Sequence, residues 1–87
     1  MATVYIPTPL RELTAGQTHL QASGSTVRQI IDDLEARFPG LRERLVEGGR
    51  LRTSVSVAVD GEVGPLGLLE RVPENGEVHF VTAIAGG

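Results

Sequence analysis

Thr26-Val27-Arg28-Gln29-Ile30-Ile31-Asp32-Asp33-Leu34-Glu35-Ala36-Arg37-Phe38-Pro39-Gly40 carries the clearest periodicity in the chain. Val27, Ile30, Ile31, Leu34 and Phe38 recur at the i, i+3, i+4, i+7, i+11 spacing of one helical face. Asp32, Asp33, Glu35 and Arg37 take the other face. Thr26 is placed to cap the helix, with Gln29 at the capping-box spacing. Pro39 ends it, because the residue before a proline is biased away from the helical region. The segment predicts one amphipathic helix that needs an apolar sheet to lie on.

Strand signals stand on both sides of it. Thr3 to Pro7 is β-branched and aromatic, and Pro7 and Pro9 stop it because proline cannot donate to a ladder. Thr18 to Ala22 alternates, with Leu20 and Ala22 on one face, so the N-terminal part reads as a hairpin or meander. After the helix, Leu41 to Val46 adds a short helical turn and Glu47-Gly48-Gly49 reads as loop. Val55-Ser56-Val57-Ala58-Val59 alternates strictly, and Asp60-Gly61 is a hairpin turn signal with Val63 returning. Leu68, Leu69 and Val72 are expected in the core. Pro73 to Gly76 is a turn, and Glu77 to Ile84 is the last strand. Val78, Phe80 and Ile84 share one face of it; Val81 and Ala83 on the other predict a central strand covered on both sides. One helix over one mixed sheet is a two-layer α+β domain.

At 87 residues there is room for one core only. No apolar run approaches a membrane span, and Met1 to Ile6 lacks the features of a signal peptide, so the expected location is cytoplasmic. The chain has no cysteine, which excludes disulfides, thiolate metal sites and a cysteine nucleophile. It has no lysine either, so every side-chain cation is an inert, permanently charged guanidinium. A net charge of −3 argues against nucleic acid as a partner. Arg37, Arg42, Arg44, Arg50 and Arg52 alternate with Glu35, Glu43 and Glu47, the pattern of a solvated, charge-balanced helical surface. His19 and His79 lack ligand spacing, so no metal is expected. Asp32 and Asp33 are adjacent, point about 100° apart on a helix, and cannot share a proton.

The candidate site is the end of the sequence, Ala83-Ile84-Ala85-Gly86-Gly87. Two residues without Cβ atoms make the thinnest possible thread, able to pass a slot that excludes any other residue type. Read as a free terminus, Gly87 carries an ionised and unreactive carboxylate that another protein must activate. Ala83 to Gly87 extends at most about 18 Å from a body spanning residues 1–82, enough to reach a buried site while that body docks outside. Ala83, Ile84, Ala85 and Gly86 are expected to contact the partner, with further docking on the sheet face around the last strand and on Leu66 and Leu68.

The element order, the Thr26-Val27 helix start, the Asp60-Gly61 turn, Glu77-Val78 and the Ala85-Gly86-Gly87 end together resemble the ubiquitin-like β-grasp sulfur carriers, the ThiS, MoaD and CysO group. Ile6-Pro7-Thr8-Pro9-Leu10-Arg11, Gly16-Gln17 and the long connection around Glu47 to Arg52 look most like the CysO type. The resemblance implies that the chain is a protein substrate and not an enzyme. An E1-like enzyme uses ATP to adenylate Gly87, a sulfur donor displaces AMP, and the resulting thiocarboxylate delivers sulfur to a biosynthetic acceptor. The implied second partner is a cysteine-synthase-like enzyme. Other readings keep the tail but change its partner: the small subunit of molybdopterin synthase, inserted into the large subunit, or a modifier joined through Gly87 to target lysines. A β-grasp binding module with an incidental tail is the plainest reading.

Overall fold

The computed structural model describes residues 1–82; the expectations placed on Ala83, Ile84, Ala85, Gly86 and Gly87 lie outside the described residues. Six strands and two α-helices form in the order β1 (Ala2–Tyr5), β2 (His19–Ala22), α1 (Val27–Arg37), α2 (Leu41–Leu45), β3 (Val46–Glu47), β4 (Arg50–Leu51), β5 (Val55–Val59) and β6 (Glu77–Thr82). The main sheet runs β2-β1-β6-β5, with β1 and β6 parallel and the outer pairs antiparallel. None of the described helices is long and apolar enough to cross a membrane.

The helix forms as its spacing requires. Thr26 Oγ1 accepts the Gln29 amide at 3.2 Å, satisfying one of the unpaired N–H groups of the first turn. The other half of the box is shifted by one residue: Gln29 Oε1 accepts the Ser25 amide, at 2.7 Å. Val27, Ile30, Ile31 and Leu34 are buried against Val4, Leu20, Ala22, Val57, Val78 and Phe80 of the sheet. Phe38 is only half-buried, because the helix ends at Arg37 and its backbone turns away.

Several local expectations are corrected. Between β1 and β2 the chain forms a 3₁₀ helix, Thr8–Thr14, and Pro7 and Pro9 mark its entry as well as the end of the strand. Leu10 and Thr14 turn into the core; the Thr14 hydroxyl lies 3.1 and 3.0 Å from the carbonyls of Arg11 and Gln17. Glu47-Gly48-Gly49 belongs to a small hairpin, β3 with β4, whose turn glycines both have positive φ. Asp60-Gly61 does turn the chain with both φ positive, but pairing after it stops at one bridge, Val59 to Glu62. Val63 is exposed and no return strand follows, since Gly64-Pro65 breaks it. Leu68 and Val72 enter the core while Leu69 stays outside. β6 is central, yet among the described residues only one of its faces is covered: Val81 is 58% exposed because no described element packs against the sheet face opposite α1.

Candidate functional site

The two ends of β6 are treated differently by the rest of the molecule. At its start, Thr3 donates its amide to the Gly76 carbonyl at 2.9 Å and Asn75 donates to the Met1 carbonyl at 3.0 Å. Asp60 and Glu77 clasp each other, the Asp60 amide donating to the Glu77 carbonyl and the Glu77 amide to Asp60 Oδ1, both at 2.8 Å. At its far end, β5 follows β6 as far as Thr82, while β1 pairs only up to Tyr5 beside His79. The Ile6 amide is taken by the Thr18 carbonyl and Pro7 has no N–H to give. A cleft therefore opens where β1 leaves β6, floored by Ile6, Leu10 and Phe80 and reaching Thr82, the last described residue.

Arg11, Arg44 and Arg52 line this cleft. Arg11 Nε donates to the Ile6 carbonyl at 3.0 Å and Arg52 Nε donates to the Glu43 carbonyl at 2.8 Å, which fixes two of the guanidinium groups. Sequence reading placed Arg44 and Arg52 on a balanced helical surface and gave Arg11 no role. Arg44 does lie on α2, but Arg52 follows the β3–β4 hairpin, and the fold brings all three to one edge. Only the pair of prolines after β1 hinted at this in the sequence, because they force the strand out of the sheet.

On the open sheet face Tyr5 stacks on His79, with ring centroids 4.2 Å apart and planes 3° from parallel, and lies 5.8 Å from His19. The two histidines thus flank a tyrosine. Val81 stands free beside them. Of the other residues expected to meet a partner, Leu66 is exposed, but Leu68 is in the core and offers its partner no side chain. The loop carrying both packs on α1 and β4, so Leu66 and Val81 belong to different layers and do not make one surface. Asp32 and Asp33 pair with separate arginines, Arg42 at 2.7 Å and Arg37 at 3.1 Å.

Glu35 positions α2 beside the cleft. Its carboxylate accepts the Arg42 amide at 2.8 Å and the Gly40 amide at 3.2 Å, supplying the cap that Gly40 has no side chain to provide. Those two amides, the Arg42 bond first, hold the carboxyl below its usual range.

The profile of the ThiS family matches residues 4–87. The sulfur carrier protein CysO of Mycobacterium tuberculosis is 39% identical over 90 residues, covering 98% of this chain and 97% of that protein. CysO in the crystal structure of the Amycolatopsis orientalis BexX/CysO complex superposes with a TM-score of 0.94 at 38% identity, with both chains fully covered. The small archaeal modifier protein SAMP1 of Haloferax volcanii has a TM-score of 0.76 at 25% identity, over 99% of this chain and 98% of that one. These carriers and modifiers share the β-grasp of one helix on a mixed sheet, and the match to the family profile extends through the final Gly86-Gly87: this chain belongs to the ThiS family.

Proposed function

We propose that this chain is a sulfur carrier of the CysO kind, activated and loaded at Gly87. The observation that carries the reading is the match to CysO over 98% of the chain, together with a ThiS family match that reaches residue 87. The open end of β6 supports it, since the last strand runs toward Gly86-Gly87 from an edge that no described element covers.

In the reaction we propose, the Gly87 carboxylate attacks the α-phosphorus of ATP held by an E1-like enzyme and expels pyrophosphate. Sulfide then attacks the acyl carbon of the adenylate and AMP leaves with the bonding electron pair. The product is a thiocarboxylate, softer and more nucleophilic than the carboxylate it replaces. At a cysteine-synthase-like enzyme the thiocarboxylate sulfur would displace the leaving group from the β-carbon of an activated serine. Hydrolysis of the acyl–sulfur bond so formed would release the new thiol and return the Gly87 carboxylate. This chain contributes the reacting carboxylate, the slender thread and a folded body to be recognised; the activating enzyme must keep water from the adenylate. The carrier is consumed and regenerated, so it acts as a substrate.

Intact-mass measurement after incubation with an E1-like adenylating enzyme, ATP and sulfide tests this. The expected result is exchange of one oxygen for sulfur, located to the peptide ending in Gly87. A carrier that stays unchanged with enzymes able to load other CysO-type carriers refutes the reading. The likeness to SAMP1 favours one second reading, a protein modifier. That reading would appear in the native host as an amide between Gly87 and a target lysine.

A further inference from the structure

We propose that Arg11, Arg44 and Arg52 form a docking site for a carboxylate-bearing segment of the activating enzyme, beside the point where β6 runs on toward Gly87. The proposal rests on the sulfur-carrier reading and adds the chemistry by which the body is recognised. In a chain of net charge −3, three guanidinium groups and no carboxylate are found among the described residues lining this cleft. Such a local excess of positive charge favours an anionic partner over the chain's average surface.

The geometry favours carboxylates in particular. Two of the arginines are held through Nε by backbone carbonyls, which leaves their terminal Nη groups for a ligand in a fixed orientation. A planar fork of donors matches a carboxylate with two parallel hydrogen bonds. Arg52 Nη1 lies 3.6 Å from Glu47, an exposed and loosely held pair that a better-placed carboxylate could replace. Arg44 is exposed on α2 and has no ion pair or side-chain hydrogen bond among the described residues. The apolar floor of Ile6, Leu10 and Phe80 keeps water from one side, so charge pairs formed over it are screened less than on an open surface.

Position explains the use. An acidic segment seated here would hold the body with Thr82 facing the enzyme, and the five residues beyond would enter the active site with most of their orientation already set. Charges at the rim of such an interface act mainly on the rate of association and its salt dependence. The arginines should therefore govern how well the carrier is captured and leave the adenylation step alone.

Steady-state activation of the full carrier by the E1-like enzyme, with ATP and sulfide, tests both layers separately. Wild-type carrier that takes up no sulfur overturns the carrier reading and this proposal with it. Where the wild type is loaded, Arg44→Glu should raise the KM for carrier about tenfold and leave kcat within about twofold. Arg44→Glu with Arg52→Glu should raise it further, and added salt should weaken capture of wild type more than capture of either variant. Arg28→Glu, which changes net charge equally but lies on α1, should leave KM unchanged. Circular dichroism and thermal melting confirm that each variant is folded, and Arg44→Gln serves where Arg44→Glu is not. An unchanged KM overturns the proposal, as does a loss confined to kcat or an equal effect of Arg28→Glu. Saturable binding of ATP by carrier alone, lost in Arg44→Glu, would also overturn it by assigning the arginines to a nucleotide.

Discussion

The start of β6 and its end differ in how the sheet treats them, and the difference separates what holds this molecule together from what it offers to others. At the start, β1, the Asp60-Gly61 turn and the Pro73–Gly76 turn satisfy the backbone from both sides. At the end, β1 has left, β5 alone remains paired among the described residues, and three arginines line the cleft beside the vacated edge. Every residue of a strand has an N–H and a C=O that want partners, so an edge left open near a central strand gives up hydrogen bonds that the fold could have made. Here the loss falls where the chain continues toward Gly87, the residue proposed to be loaded. Changes at the closed end should therefore alter stability and spare activation, and changes beyond the open end should do the reverse.

Gly87→Ala should give the largest effect. A single methyl on the thread displaces the carboxylate from the line of attack on ATP, and misplacement by about 1 Å can cost roughly a hundredfold in rate. Adenylation measured by pyrophosphate release should fall by about that factor, while the melting temperature stays at the wild-type value. Adenylation at the wild-type rate would show that the slot tolerates side chains, and the steric role of the glycines would be lost. A drop in melting temperature would make the tail part of the packed structure and remove the division between the two ends.

Gly24→Ala is the matching change at the closed end. Gly24 lines the same corner as Met1, Ser25 and Glu74, where β2 hands over to α1. A Cβ there would sit 2.7 Å from the Gln29 Cβ and 2.9 Å from the Ile30 amide nitrogen. The second of these is helix backbone, which cannot swing aside. The first turn of α1 must shift, and with it the Thr26 cap. Overpacking of this sort costs about 1–3 kcal/mol. Chemical denaturation should register that loss with an unchanged slope, and loading with sulfur below the melting temperature should match wild type.

The contrast between these ends was only half visible in the amino-acid pattern. α1, β5 and the hydrophobic half of β6 were readable because each repeats apolar residues at the period of its own geometry, and Thr26, Asp60 and Gly61 are residues whose local chemistry determines their role. The β3–β4 hairpin escaped because two residues per strand carry no period, and Gly48-Gly49 looks the same in a loop as in a tight turn. Val81 looked like a covered residue because an apolar side chain in a central strand reads the same with or without a second layer above it. The arginine-lined cleft was invisible for a different reason. Arg11 meets Arg44 and Arg52 only through the path the chain takes after Pro7, and contacts between distant segments leave no local signature. The closed end is built largely from turn residues that announce themselves; the open end is made by a departure.

Glu35→Gln should have the smallest effect, because Glu35 serves the open end without lying in the cleft. Its carboxylate caps α2 through the Arg42 and Gly40 amides, and α2 carries Arg44 to the rim. The hydrogen bonds favour the ionised form and lower the carboxyl pKa in the folded state, while the unfolded chain keeps the ordinary value. The unfolded state thus takes up a proton first as pH falls. The stabilisation is complete above the ordinary carboxylate range and is lost as pH drops through that range and down past the folded-state value. Glutamine keeps an oxygen that can accept an amide but has no charge to titrate. Glu35→Gln should therefore melt slightly below wild type at neutral pH, by less than Gly24→Ala, and the gap should close on acidification. Since a loosened α2 lets Arg44 wander, the variant should also show a small rise in KM at neutral pH with kcat unchanged. A pH-independent gap would mean that the charge of Glu35 does nothing for the cap. An unchanged KM alongside a closing gap would mean that α2 holds Arg44 in place without it, and the open end would then depend on the arginines alone.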